Sequence, residues 1–148
     1  MPLLDQLAAE IKTAMFARDA SRLSTLRLLK SAVGYAQIER KSESLSDADV
    51  VAIVQKEVKK RRDSIEQFER GGRPELAAHE RAELVVLDSF LPRALAPEEL
   101  EQLVRAVIQE VGAAGKKDMG AVIKAVQARA AGAADGRSIS ALVGRLLP

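Results

Sequence analysis

Apolar residues recur every three or four positions along almost the whole chain, which is the spacing of one face of an α-helix. In the first part of the chain this pattern predicts four helices, over Leu3–Ala17, Ser21–Arg40, Asp47–Arg70 and Pro74–Phe90. No stretch alternates apolar and polar residues as a β-strand would. We therefore expect an all-α protein, and we interpret the polar run Lys41–Ser44 as a loop.

Two prolines, Pro92 and Pro97, block a continuous helix and mark the predicted domain boundary. Beyond them the pattern predicts a fifth helix from Pro97 to Gly112, a sixth capped by Asp118 and, after a turn over 132–136, a seventh capped by Ser138. The sequence thus predicts about seven helices. Four form an N-terminal domain over residues 1–92, and three form a C-terminal domain over residues 97–148.

Each predicted helix has an apolar stripe that indicates its buried side. In the first helix the stripe is Leu4, Leu7, Ile11 and Met15. In the second helix it is Leu26, Leu29, Val33 and Ala36, widened by Leu28, Ala32 and Tyr35. This wider stripe predicts packing on two sides. Gly34 lies inside the second helix, where glycine costs up to about 1 kcal/mol relative to alanine, and we interpret it as the site of a close helix crossing.

The composition excludes several classes of protein. The chain has 148 residues, 47% of them hydrophobic, and contains neither cysteine nor tryptophan, so disulfides and cysteine-based sites are excluded. No apolar run is long enough for a transmembrane helix. Asp5 and Glu10 lie where a signal peptide would need a basic flank and an apolar run. These features predict a cytoplasmic protein without membrane association.

A catalytic or metal site finds little support in the sequence. His79 is the only histidine, and Glu83 stands where a zinc-binding helix would place a second histidine. The segment Gly112–Asp118 resembles a phosphate-binding loop only superficially, because its spacing differs and a helix rather than a strand precedes it. We expect no catalytic residue, no metal and no cofactor.

The charge distribution is more informative than the net charge of +2. Residues 112–148 contain six bases and two acids, whereas acids and bases balance over residues 1–92. The six bases are the candidate RNA-binding residues: Lys116, Lys117, Lys124, Arg129, Arg137 and Arg145. A local basic excess attracts polyanions, although solvated surface lysines would produce the same pattern. Because no aromatic residue accompanies them, any RNA contact should follow the backbone rather than the bases.

A second basic cluster spans Lys56–Arg62 in the third predicted helix. The apolar stripe of that helix is Val51, Val54, Val58, Ile65 and Phe68, and Arg61 falls at a position of this stripe. A buried arginine needs an anionic partner, which is either a carboxylate of the same protein or a bound phosphate. Arg61 and Arg62 are therefore secondary candidates for an anion site.

Four stretches of the sequence resemble the stand-alone YqeY proteins of bacteria. They are RLSTLRLLKSAV (Arg22–Val33), EVKKRRDSIEQFERGGRPEL (Glu57–Leu76), ELVVLDSFLPRALAPEELEQLV (Glu83–Val104) and KKDMGAVIKAVQARAAGAADGRSISALV (Lys116–Val143). Together they sample nearly the whole chain in order.

The resemblance implies a function as well as a fold. The C-terminal half of this family is similar to the tail of GatB, a subunit of the tRNA-dependent amidotransferase. That tail helps hold the tRNA and carries neither of the enzyme's active sites. The resemblance therefore implies a non-catalytic accessory protein that binds tRNA or another RNA. A carbon–nitrogen ligase label with glutamine as amide donor would reflect kinship, since this chain lacks the residues for that chemistry. The alternative is a helical adaptor that binds a protein partner.

Overall fold

A computed structural model describes residues 2–41 and 45–148 of the chain, and residues 42–44 of the predicted loop lie outside the described part. Within these ranges the secondary structure is entirely helical, which confirms the predicted all-α class. The described residues form seven α-helices: α1 (Leu3–Ala17), α2 (Ala20–Glu39), α3 (Asp47–Arg70), α4 (Pro74–Asp88), α5 (Pro97–Val111), α6 (Met119–Ala130) and α7 (Gly136–Leu146). One 3₁₀ turn, Lys116–Asp118, precedes α6.

The chain divides into two compact units, Met1–Leu91 and Pro92–Pro148, called here the N-terminal and the C-terminal unit. In the N-terminal unit α3 and α4 pack together most extensively, and α2 packs against α1, α3 and α4. The core of this unit is almost entirely aliphatic. Its fully buried members include Leu26, Leu29, Val50, Val54 and Leu87.

Local signals in the sequence set the ends of α3. The Ser46 hydroxyl accepts from the Asp49 backbone N–H, and the Asp49 carboxylate accepts from the Ser46 N–H, which together form a capping box. Ser46 is thus the N-cap of α3. At the other end α3 stops at Gly71, and Gly72 adopts a left-handed conformation with φ of 69°.

The buried positions of α1 and α2 differ from the prediction. Ala14 is buried and Met15 is 52% exposed, because a helix turns 100° per residue and the α1 stripe follows Leu7 and Ile11 to position 14. In α2 only one side is buried, and Tyr35 is 72% exposed. The close crossing predicted at Gly34 is also wrong, since a Cβ atom there would meet nothing within 4 Å.

The C-terminal unit has its own aliphatic core, formed where α5, α6 and α7 meet. Its buried members are Leu100, Val104, Val107, Val122, Val126, Ile139, Val143 and Leu147. Gly112 ends α5 in the left-handed conformation with φ of 66°, as the sequence predicted. The backbone N–H of Leu95 donates to the Ala133 carbonyl at 2.8 Å, which ties the segment before α5 to the turn between α6 and α7.

Two helix ends, that of α4 and the start of α7, lie two or more residues from their predicted places. Helix α4 ends at Asp88 rather than Phe90. Helix α7 begins at Gly136, and its cap is Asp135, whose carboxylate accepts from the Ser138 N–H at 3.3 Å. Ser138 is therefore inside the helix. Aspartate caps a helix as well as serine does, and Asp135 lies three residues before Ser138.

Candidate nucleic-acid interface

The six basic candidates are all exposed in the C-terminal unit, and the structure distinguishes Lys116, Arg129 and Arg145 from Lys117 and Lys124. Three of them contact other parts of the unit. The Lys116 ammonium donates to the Gly144 carbonyl near the end of α7, where a cation complements the helix dipole. Arg129 forms an ion pair with Glu110 of α5. The Arg145 guanidinium lies 3.9 Å from Glu101, also of α5.

These contacts reduce the number of bases that are ready to meet a ligand. The ion pair with Arg129 lowers the pKa of Glu110 and keeps that carboxylate charged. Both residues are about half exposed, so their pair adds little to stability and would compete with a phosphate only weakly. Arg129 and Arg145 are nevertheless partly neutralised by the acidic helix α5.

Lys117 and Lys124 form the second group. Both are exposed, and within the described part of the chain neither makes a hydrogen bond or an ion pair. They lie two helical turns apart on one side of the 3₁₀ turn and α6. Gly120 lies between them, and a Cβ atom there would meet nothing within 4 Å. Arg137 is exposed in the first turn of α7.

Asp118 holds the segment that carries Lys117. Its side chain accepts from the backbone N–H groups of Ala114, at 3.0 Å, and of Gly115, at 3.4 Å. The hydrogen bond from Ala114 lowers the pKa of the Asp118 carboxyl, and the bond from Gly115 and the charge of Lys117 act in the same direction. The backbone donors before the 3₁₀ turn are therefore engaged with Asp118. This contact disfavours phosphate binding by that loop. Asp118 precedes α6 as predicted, but its side chain makes no capping hydrogen bond to that helix.

Arg61 lies between α3 and α4 with only 11% of its side chain exposed. Its Nη1 donates to Glu57 Oε2 at 2.5 Å, and its Nε donates to Glu83 Oε2 at 3.1 Å. Of the two partners that the sequence allowed for Arg61, the structure shows carboxylates of the same protein. A phosphate at Arg61 would have to displace both of them. Arg62 is exposed on the same helix.

The sequence did not predict that several acidic side chains would lie close to Arg61. Glu80 lies beside Glu83, and its pKa is raised, first by burial and second by the charge of Glu83. His79 Nε2 lies 3.5 Å from Glu83 Oε1, one helical turn along α4. Glutamates at positions 57, 80 and 83 were visible in the sequence, but their convergence on Arg61 required the packing of α3 on α4.

The remaining surface of the described residues gives two negative findings. Residues 2–41 and 45–148 contain no group of three histidine, cysteine or acidic side chains arranged to hold a metal ion. In the same ranges, no helix is both long enough and apolar enough to cross a membrane.

Comparison with known proteins identifies the family. The sequence profile of the family described as Yqey-like protein matches residues 4–147. The uncharacterized protein C22F3.15 of Schizosaccharomyces pombe is 35% identical over 79 residues, which are 53% of this chain and 63% of that protein. "Altered inheritance of mitochondria protein 41, mitochondrial" of Pyrenophora tritici-repentis is 27% identical over 135 residues, which are 86% of this chain and 73% of that protein. The protein of the same name in Eremothecium gossypii is 31% identical, and the aligned part covers 73% of this chain and 60% of that protein.

These relatives correct one prediction from the sequence. The cytoplasmic assignment is contradicted, because the names of several relatives place them in mitochondria. Composition was a poor guide here, since the absence of cysteine is compatible with more than one compartment. Because the family profile spans nearly all of the described helices of both units, the chain belongs to the Yqey-like protein family.

Proposed function

We propose that this protein is a non-catalytic accessory that binds RNA, in particular tRNA, through the C-terminal unit. The observation that carries the proposal is the placement of Lys117 in the 3₁₀ turn and Lys124 in α6, which are both exposed and have no ion pair among the described residues. Arg137 extends the same basic character to the start of α7. The similarity of the family's C-terminal half to the GatB tail, which helps hold tRNA, points to the same ligand.

The chemistry of this surface suits a phosphate backbone. Lysines provide mobile point charges that neutralise phosphates, and the released counterions make such binding strongly dependent on salt. The side of α6 between the two lysines carries only small residues, including Gly120 and Ala121, so a nucleic-acid backbone could approach the helix closely. No aromatic residue occurs in residues 92–148 to stack on a base. Recognition would therefore follow backbone and shape.

A titration of the full chain with bulk tRNA at two salt concentrations tests the proposal. We expect micromolar binding that weakens steeply as salt is raised, and a triple variant with Lys117→Glu, Lys124→Glu and Arg137→Glu should lose it. Binding can be followed by fluorescence polarisation of labelled tRNA. The residual affinity of the variant should also depend less on salt, because fewer phosphates are neutralised.

The matched control replaces three exposed lysines of the N-terminal unit, Lys12, Lys56 and Lys59, with glutamate. It therefore changes the net charge by the same amount as the first triple variant. This control variant should bind tRNA nearly as well as the wild type. If both triple variants lose affinity equally, the binding is a response to overall charge and the assigned site is wrong. If the wild type fails to bind at low salt, the proposed function itself is refuted.

A further inference from the structure

The side of α2 that faces away from the core is apolar, although none of the described residues of the N-terminal unit covers it. Tyr35 is 72% exposed, Ile38 is 75% exposed and Leu28 is 48% exposed. The opposite side of the same helix is buried in the core. The exposed residues and the two serines between them are called here the outer face of α2: Ser24, Leu28, Ser31, Tyr35 and Ile38. An apolar patch of this kind on a small helical unit usually marks an interaction site.

The spacing of the outer face indicates what kind of element would cover it. Its positions are separated alternately by four and three residues, which is the repeat of a two-helix coiled-coil seam. The seam is about 21 Å long at the rise of an α-helix. Such a repeat keeps one straight stripe in contact with another helix, whereas an extended strand would match alternate residues instead. The occupant is therefore a helix.

The surface relief agrees with a helix that approaches closely. A shallow hollow of about 340 Å³ lies along the N-terminal half of the outer face. It is lined by Ala20, Leu23, Ser24, Arg27, Leu28 and Ser31. Gly34 borders the seam farther along, in open space, so no contact among the described residues accounts for its cost to the helix. Small residues that alternate with Leu28 and Tyr35 provide holes for the side chains of a partner helix.

The charged residues beside the seam indicate that the partner helix is acidic. Arg27 and Lys30 lie on one flank of the seam, and both are exposed. Within residues 2–41 and 45–148 neither has an ion-pair partner, whereas Arg22 of the same helix pairs with Glu10. Complementary charge at the rim of an interface steers the encounter and selects the partner. A second copy of α2 would carry the same two cations and only Glu39 as a carboxylate, so it would not match this flank.

We propose that the outer face of α2 is the docking site for an amphipathic helix of another protein, with an apolar stripe at alternating three- and four-residue spacing and acidic residues beside the stripe. Docking would cover Leu28, Tyr35 and Ile38 and would neutralise Arg27 and Lys30. The site lies in the N-terminal unit and uses none of the lysines proposed for RNA, so the two proposals succeed or fail separately.

The direct test uses two synthetic helical peptides and the full chain. Both peptides carry leucines at coiled-coil seam positions. The flanking positions are glutamates in the acidic peptide and lysines in the basic control peptide. We expect the acidic peptide to bind with a Kd on the order of 10 µM and the basic peptide to bind at least about tenfold more weakly. Fluorescence polarisation of labelled peptide measures both affinities.

Variants of the chain place the binding on α2. Ile38→Glu should weaken the acidic peptide by about tenfold or more, because it puts a charge into the seam without touching the core. Val85→Glu is the matched control, since Val85 is an equally exposed aliphatic residue on α4, at 71% exposure. The double variant Arg27→Glu, Lys30→Glu should reverse the preference and bind the basic peptide better. Far-UV circular dichroism establishes that each variant remains helical.

Several results would overturn this proposal. Equal affinity for the two peptides would remove the charge argument, and unchanged binding by Ile38→Glu would place the contact elsewhere. A wild-type dimer in light scattering that Ile38→Glu converts to a monomer would make the occupant a second copy. Binding to anionic phosphatidylglycerol vesicles but not to the acidic peptide would make it a membrane surface. The tRNA affinity of Ile38→Glu should equal that of the wild type whichever result is found.

Discussion

The guanidinium of Arg61 joins α3 to α4 through Glu83, with Arg61 Nε donating to Glu83 Oε2 at 3.1 Å. A second bond from Arg61 reaches Glu57 on its own helix. All three side chains are less than 15% exposed, so the attraction between them is weakly screened by solvent. The most extensive helix pair of the N-terminal unit is thus joined by this buried contact in addition to the more exposed ion pair of Arg81 with Glu69.

Replacing Arg61 with methionine should destabilise the protein by about 2 kcal/mol. Methionine keeps much of the aliphatic packing but leaves the Glu83 carboxylate without its arginine and Glu57 with only the more exposed Lys60 as a cationic partner. Urea unfolding followed by circular dichroism measures the change in the free energy of unfolding. Combining Arg61→Met with Glu57→Gln and Glu83→Gln should recover most of the loss, because no buried charge is then uncompensated. A change below about 0.5 kcal/mol in the single variant would show that the contact is not stabilising.

Glu80 predicts a pH dependence of opposite sign to that of carboxylates whose pKa is lowered, such as Asp49 and Glu110. Its pKa in the folded state is raised above the ordinary 4.5, first by burial and then by Glu83. The folded state therefore binds a proton more readily than the unfolded state, and this carboxyl opposes folding at neutral pH. Glu80→Gln should raise the Tm at pH 7, and the gain should shrink as the pH falls through the raised pKa toward 4.5.

Asp49→Asn is the control for the direction of the pH dependence, because this substitution should have the opposite effect on the Tm. The pKa of Asp49 is lowered in the folded state, mainly by its hydrogen bond with Arg40, so its charged form stabilises the fold. Asparagine at position 49 should lower the Tm at pH 7. The deficit should fade as the pH falls below the ordinary value of 3.8 through the lowered pKa. Parallel pH profiles for the two variants would contradict this assignment.

Two glycines should respond in opposite ways to alanine. Gly34 lies in the middle of α2 with open space around its Cβ position, so Gly34→Ala should stabilise the protein by about 0.5–1 kcal/mol. Gly112 ends α5 with φ of 66°, which strains any other residue, so Gly112→Ala should destabilise by about 1 kcal/mol. Thermal unfolding of both variants distinguishes the two cases, and a loss of stability in Gly34→Ala would indicate a close contact at that position.

The start of α7 provides a test of which residue is the cap. Asp135 accepts from the Ser138 N–H, so Asp135→Ala should destabilise by about 1 kcal/mol. Ser138→Ala should be nearly neutral, since the serine lies within the first turn and alanine is the better helix former. Urea unfolding compares the two alanine variants directly. The reverse order of effects would restore Ser138 as the cap.

Much of the helical architecture followed from the sequence because helices are encoded by short-range patterns. Prolines at the first turns of α4 and α5, glycines after α3 and α5, and the stripe through α5 each specify structure over a few residues. The error in the predicted buried positions of α1 amounts to a shift of one residue. Adjacent residues such as Ala14 and Met15 both fit a stripe, and the choice between them depends on which helix lies opposite.

The candidate site was less accessible from the sequence. All six bases of the C-terminal unit were visible as a charge excess, yet their availability depends on residues far along the chain. Lys116 meets Gly144, and Arg129 meets Glu110, because α6 and α7 pack against α5. No spacing rule relates such pairs, since tertiary packing brings them together. The distinction between these engaged bases and the exposed Lys117 and Lys124 therefore required the structure.

By itself the sequence determined that this chain is all-α, where its helices begin and end to within a few residues, and which family it resembles. Periodicity and capping act within a few turns of chain, so they can be read without knowing the fold. Only the tertiary structure decided that Arg61 pairs with Glu83 and that one apolar side of α2 stays uncovered. Burial and charge pairing depend on what lies opposite each side chain, and that is a property of packing rather than of local pattern.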